Sequence, residues 1–366
     1  MATEFTFSQE SDILQITLND HAGGMKSVAY SPDGKILASG SEDQTFNLYS
    51  TAEYELVASS EERYRPVYAL AFTPDQKKLL IGAGKFLESF TPSGEYIDRE
   101  FSRNTDIMSI GISPGSNMVL TGTYNKTFQV NILYPDHQQI DYPGHQKSAL
   151  AVAFNADATL IASGSLDESI KLWETQPAKN IYTLQGHGGN IMAVTFSRDG
   201  EHLASASLDK SARLWRIGDE KSIQTFTGHQ KGLTDIVFTP NGHFILTASF
   251  DQTIRLWEVN SGKMLYTFTG HEGTVNALAI APDGKSFASA SDDQTVKIWK
   301  LIPRVFVENI YFDQIENEIA ESPLFLPKQK DESRADFKER EIKAEKYRQE
   351  LYEKYYNLYM NTLSHR

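Results

Sequence analysis

The sequence predicts an all-β fold: a seven-bladed β-propeller closed by an N-terminal strand, with a C-terminal α-helix attached. Three observations predict it: Gly-His pairs that recur every 42 residues, four short strand-like runs within each period, and a sharp change of composition beyond Leu301. The expected division is 1–301 for the propeller, 302–332 for an extended segment packing on it, and 333–366 for an amphipathic helix.

The period comes first, because a regular spacing of this length marks a repeat architecture. Gly144-His145, Gly186-His187, Gly228-His229 and Gly270-His271 stand 42 residues apart. Each His is followed at +22 by an Asp (Asp167, Asp209, Asp251, Asp293) and six residues later by a Trp (Trp173, Trp215, Trp257, Trp299), which uses all four Trp of the chain. Within one period, 149–154, 160–163, 169–173 and 181–184 are β-branched, aromatic or small residues separated by Asp, Gly, Asn and Ser turns, so each period reads as four strands.

Three further units precede these. His21 and Asp43 keep the spacing of 22, with Tyr49 in the Trp position. Two worn units follow, at 67–82 and 107–122; both keep their first two strands but lack the His and the Trp, and in the second of them Asn125 stands where the Asp belongs. The total is seven. The last unit stops after its third strand at Leu301, whereas Leu14-Gln-Ile-Thr-Leu18 matches the run that precedes the later Gly-His pairs. The N-terminal strand therefore completes the last blade and leaves no unpaired edge there.

Four strands per unit and a period near 42 resemble the blades of WD40 propellers, although the literal Trp-Asp ending is absent (Glu174, Arg216, Glu258 and Lys300 follow the Trp). The resemblance implies a structural network in each blade, running from the His through a Ser or Thr of the second strand to the Asp and Trp. The sets are His145/Ser163/Asp167/Trp173, His187/Ser205/Asp209/Trp215, His229/Thr247/Asp251/Trp257 and His271/Ser289/Asp293/Trp299, with a second Ser two residues on as the alternative hydroxyl. Ser, His and Asp could also compose a nucleophilic triad, or His and Asp a metal site. A set repeated four times at constant spacing argues against both, so no catalytic residue, cofactor or metal is expected. Blades two and three, which lack the set, are expected to be the less rigid part of the ring.

Composition narrows the partners. With 35 Lys and Arg against 48 Asp and Glu, the net charge is −13, and the repeats contain no basic run, which disfavours nucleic acid. There is no Cys. The start MATEFTFSQESD has neither a basic nor an apolar signal region, and no apolar stretch could span a bilayer, so a cytoplasmic protein without membrane insertion is expected. Gly82-Ala-Gly84-Lys85 lacks the further Gly and the Ser/Thr of a phosphate loop, and Asn125-Lys-Thr127 is a glycosylation triplet that matters only in a secreted protein.

The resemblance also implies a binding rim, made of the residues five after each His and those just before each Asp. The first set is Lys26, Tyr68, Met108, Leu150, Met192, Thr234 and Asn276; the second is Glu42, Leu166, Leu208, Phe250 and Asp292. Tyr68, Met108, Leu150 and Met192, beside Leu166, Leu208 and Phe250, make an apolar mouth suited to a partner segment with an apolar anchor. The alternative is that they plug the channel.

Beyond Ser333 the composition turns to Lys, Glu, Arg, Tyr and Leu. Ser333 with Asp336 suggests a helix cap, and Phe337, Ala344, Leu351 and Leu358 recur every seven residues beside Tyr347 and Tyr355. Arg340, Lys354 and Asn361 on the other seam argue against a homodimeric coiled coil. The stripe either folds back on the propeller or meets a partner through Tyr347, Leu351, Tyr355 and Leu358. The function expected is a non-catalytic scaffold or adaptor for other proteins or peptide segments, a monomeric propeller within a complex. The alternatives are a regulatory subunit of a larger assembly and a propeller-based hydrolase.

Overall fold

Alternating side chains and Asp-anchored turns fold each repeat into a four-stranded antiparallel sheet. In the fourth blade the strands are Ala149–Phe154, Leu160–Ser165, Ile170–Glu174 and Lys179–Leu184, with Ala162 opposite Leu172 and Leu172 opposite Tyr182. The second strand is buried along almost its whole length because neighbouring blades cover both of its faces. Small residues suit that position: a Cβ on Gly164 would come within 2.5 Å of Ile191 of the next blade. The computed structural model describes residues 13–61, 65–126, 128–132, 138–329 and 331–364. Residues 1–12, read above for a signal, and Thr127 of the glycosylation triplet lie outside the described residues.

Seven such sheets form the ring. The seventh is completed by the N-terminal strand Leu14–Leu18, which pairs antiparallel with Val296–Lys300 and is fastened by the Lys300 amide donating to the Ile13 carbonyl at 2.8 Å. Asn276 of the seventh blade donates to the Met25 carbonyl of the first at 2.8 Å, so polar contacts also cross the seam. Apolar side chains fill the spaces between blades; Met25, Leu37 and Tyr49 of the first share one cluster with Ala288, Val296 and Ile298 of the seventh.

The propeller unit ends at Lys300, and a second compact unit comprises Met264–Tyr266 and Leu301–Arg366. Here the structure corrects the expectation of an extended segment over 302–332. Residues Pro303–Glu321 form a helix, α1, followed by a 3-10 turn at Pro323–Phe325. Its sequence hides it: no side chain caps its start, Val305-Phe306-Val307 looks like strand, and helical backbone breaks at Tyr311. Pro303 supplies the preset first-turn geometry and Pro323 disfavours helix at Ser322, fixing both ends.

The second helix, α2 (Arg334–Ser364), starts at Ser333, whose hydroxyl accepts from the Asp336 amide at 3.1 Å. It pairs with α1 through Tyr311 against Tyr355, Phe306 against Tyr356, and Lys354 on Glu318 at 2.7 Å. Leu351 and Tyr355, expected as partner contacts, are therefore buried, and the Tyr355 hydroxyl donates to Glu318 of α1. The buried row runs Leu351, Tyr355, Tyr359, Leu363 at four-residue spacing. Seven-residue spacing drifts about 20° backward per step on a helix of 3.6 residues per turn, which turns Leu358 outward to 49% exposure. Tyr347 is half-buried against Phe325.

Candidate protein-interaction face

The side chains that shape the propeller's face are held by a brace repeated in five blades. In the fourth, Trp173 Nε1 donates to Ser163 Oγ at 2.9 Å, Ser163 Oγ lies 2.8 Å from His145 Nε2, and His145 Nδ1 lies 2.9 Å from Asp167 Oδ2. An indole nitrogen only donates and a carboxylate only accepts, so the chain runs one way: the Ser hydroxyl gives its proton to Nε2 and Nδ1–H donates to the Asp. Corresponding contacts join His187, Ser205, Asp209 and Trp215; His229, Thr247, Asp251 and Trp257; and His271, Ser289, Asp293 and Trp299. The first blade has His21, Ser39 and Asp43 in the same contacts, with Tyr49 hydrogen-bonded to Asn47. The hydroxyl two residues further on stays outside the brace and ties the turn instead, as Ser165 donates to the Lys147 carbonyl and accepts from the Asp167 amide.

Electrostatics agree with that direction. Burial depresses His145, His229 and His271 against the pull of their Asp partners, so these imidazoles are neutral at pH 7. Burial alone would raise the carboxyls, but hydrogen bonds from Ser169, the Gln146 amide and His145 outweigh it and hold Asp167 down at about 2. Asp209, Asp251 and Asp293 are depressed in the same way. Each Asp also caps its own turn, as the Ser169 amide donates to Asp167 Oδ1 at 3.0 Å. A Ser hydroxyl occupied by both an indole and an imidazole has no free path to a substrate. Sequence spacing alone did not show the hydroxyl two residues after each Asp (Thr45, Ser169, Ser211, Thr253, Thr295), which donates to the carboxylate.

Among the described residues, Asp199, Glu201 and His202 could gather on a cation. Asp199 Oδ1 already accepts from Ser197 Oγ at 2.5 Å and the Glu201 amide at 3.0 Å, a turn cap repeated by Asp33 in the first blade. That turn accounts for the place of the Asp199 carboxylate.

Blades two and three replace the brace. In the second, Ile81 takes the place of the bridging hydroxyl, and the turn to the next strand is the two residues Gly84-Lys85, too short for an Asp cap. In the third, the pairs Ile107–Thr123 and Ala149–Ser165 fix the offset to the fourth blade at 42. Arg103, Thr121, Asn125 and Asn131 then occupy the positions of His145, Ser163, Asp167 and Trp173. Arg103 Nε donates to Thr121 Oγ1 at 3.0 Å where the imidazole would sit.

The rim positions come together at one end of the blades. The amides of Glu42, Leu166, Leu208, Phe250 and Asp292 each donate to the carbonyl just before the inner strand of the same blade, which sets each pre-Asp residue beside the start of that strand. On the first and seventh blades the rim is polar: Lys26 meets Asp292 at 2.7 Å and Glu42 at 3.1 Å, and Asn276 donates to Asp292. Over the third to sixth blades it is apolar, with Leu208 and Phe250 each 37% exposed and Met108, Leu166 and Met192 half-buried. Tyr68 is half-buried near Glu42, Asp106 and Tyr124; burial first and those neighbours next raise its hydroxyl. Leu150 departs from the expectation: at 6% exposure it fills the interior and offers nothing to a partner. Tyr124, 52% exposed, was missed because its blade lacks the Asp used as a marker; the 42-residue offset from Leu166 identifies it.

The WD domain, G-beta repeat family model matches residues 13–50, 137–174, 178–216, 220–258 and 262–300, more than half of the chain. The chain is 28% identical over 172 residues to actin-interacting protein 1 of Drosophila melanogaster, covering 45% of this chain and 28% of the relative. It is 28% identical over 181 residues to pre-mRNA-processing factor 19 of Oryza sativa subsp. japonica (48% and 34%). Identity is 24% over 164 residues to the serine-threonine kinase receptor-associated protein of Gallus gallus (44% and 46%). In each case the match spans less than half of the relative's length.

Proposed function

Because the chain belongs to the family of WD-domain, G-beta repeat propellers, we propose that it is a non-catalytic adaptor that holds a protein segment on the apolar arc of its rim. One observation carries this reading: Met192, Leu208, Phe250 and Tyr124 expose apolar surface at one end of the ring, beside a polar arc whose charges are already paired. Apolar surface gathered in one place suits a partner's apolar anchor, whereas isolated surface hydrophobes need no explanation. Net charge of −13 favours protein over nucleic acid. The repeated His-Ser-Asp sets serve as braces in this reading, their hydroxyls engaged on both sides. The names of relatives such as actin-interacting protein 1 and the receptor-associated protein fit a binding role. A cytoplasmic location suits a chain in which no described helix is long and apolar enough to cross a membrane.

The test is affinity capture from native cells with cross-linking mass spectrometry, comparing the full chain with the double variant Met192→Asp, Phe250→Asp. The arc reading expects specific partners to be lost from the variant while its circular dichroism is unchanged; an identical partner set would refute it. A second reading, a regulatory subunit anchored by its helical unit, is favoured by the exposed Ile342 and Leu358 on α2. Truncation after Leu301 separates the two: anchoring through the helices predicts loss of the complex with the rim intact.

A further inference from the structure

The brace missing from the third blade leaves a cavity of about 240 Å³, and Arg103 lines it. Arg103 is 9% exposed. Of its five N–H donors, Nε is satisfied by Thr121, Nη1 has only Gln139 Oε1 at 3.3 Å, and Nη2 has no partner among the described residues. Its guanidinium carbon lies over the Phe101 ring, 4.1 Å from the centroid. The other walls are polar and uncharged, including Thr123, Asn125 and Gln129.

Charge balance sets this blade apart. In the neighbouring braced blade a neutral imidazole faces an ionised Asp. In the third blade the cation is permanent and the facing residue is Asn125, so the carboxylate is missing where the positive charge is greatest. Asp141, on the outer strand, is the one acidic group among the described residues that acts on Arg103, and its Oδ1 is taken by the amides of Gln129 and Gln139 at 2.7 and 3.3 Å. Burial pulls Arg103 down to about 10, which leaves it charged at pH 7. A buried, under-satisfied guanidinium is costly unless an anion completes it; Nη2 itself is closed to solvent, so an entering oxyanion reaches it only as Gln139 or the guanidinium shifts.

We propose that the third blade carries an oxyanion pocket in which Arg103, flanked by Thr121, Asn125 and Gln139, binds a phosphoryl or carboxylate group from outside the chain. The cavity exceeds the roughly 30 Å³ of one water several times over, so a group of this size fits with part of its hydration. Asn104, Asn125 and Gln139 are exposed at its edge and leave a way in. The Met192→Asp, Phe250→Asp changes lie on the fifth and sixth blades, away from the pocket's lining residues, and that variant should keep the pocket.

The test titrates the full chain with inorganic phosphate and, separately, with N-acetylglutamate amide, against chloride at equal ionic strength. Thermal unfolding and the Arg Nε–H resonances are the readouts. A saturable rise in Tm with a shift of one Arg resonance is expected, and the tighter of the two probes identifies a phosphoryl or a carboxylate source. Arg103→Gln should weaken the response roughly tenfold or more. Asn125→Asp, which supplies an internal carboxylate, should raise Tm without ligand and abolish the response. The proposal is overturned if neither probe gives a saturable response beyond chloride, or if the response survives in Arg103→Gln. Should Arg103→Gln fail to fold, an undiminished phosphate response in Asn125→Asp overturns it equally.

Discussion

The third and fourth blades are neighbours with one strand register, and their interiors are solved in opposite ways. In the fourth, Trp173, Ser163, His145 and Asp167 form an unbroken donor–acceptor chain. In the third, Arg103 keeps only the contact to Thr121 from that chain, and Arg103 Nη2 and Asn131 Nδ2 are buried without partners among the described residues. Yet both blades pair their first and second strands residue for residue, 42 apart. The brace is therefore not what makes a blade. Apolar alternation and turn geometry set the register, and the brace adds stability and a single arrangement to a blade already specified. The second blade supports the same lesson from another side, since Ile81, in one apolar cluster with Phe46 and Phe90, stands where the bridging hydroxyl would be.

The largest difference should appear on removing the bridging hydroxyl. Ser205→Ala orphans both His187 Nε2 and Trp215 Nε1 and is expected to cost about 3–4 kcal/mol in chemical denaturation, against about 1.5–2 kcal/mol for Thr121→Val, which orphans Arg103 Nε alone. Equal losses would break the comparison. Next in size, native-state hydrogen exchange should find Ile107–Ile112 opening about 1–2 kcal/mol below Ile191–Phe196; if blades two and three were the most protected, the brace would not be the source of rigidity.

Acidity sharpens the contrast further. The brace carboxyls are depressed in the fold, so they bind fewer protons native than unfolded; their stabilisation is present above the ordinary Asp pKa and is lost as pH falls through the folded value. Asp235 of the sixth blade has the opposite sign. Burial pushes it up to about 7 despite the Leu278 and Ile236 amides, so its share of stability falls as pH rises from about 4 to 7. That slope is at most about 1.4 kcal/mol per pH unit, and Asp235→Asn should flatten it in pH-dependent denaturation. An unchanged slope would mean that Asp235 is ionised throughout. A small effect is expected at Tyr49→Phe, about 1 kcal/mol, because the hydroxyl's contacts to Asn47 and Ser39 are lost while the ring stays packed.

The ring was legible because its markers are rare residues at fixed distance: His, Asp and Trp at 22 and 28, and a spare strand before His21. What was hidden was whatever lacked a marker. Arg103 does not look like a brace residue until strand pairing aligns it with His145. Leu150 stands at a rim position by count, but depth within the ring is a tertiary property and buries it. In the tail, β-branched residues and an uncapped start concealed α1, and without α1 the stripe on α2 had no visible cover. Local sequence carries periodicity well and the identity of a distant partner poorly.

Consider last the strand Leu14–Leu18, whose register joins Leu14 to Trp299. During synthesis it emerges before every other strand of the ring and has nothing to bind until almost the entire ring has left the ribosome. Six blades can assemble from neighbouring segments, but the final one waits for the two most distant strands to meet. Such a long-range pairing is slow to form. In the interval the strand and the unfilled edge of Val296–Lys300 are each open to the wrong neighbour, including the same strand of another copy.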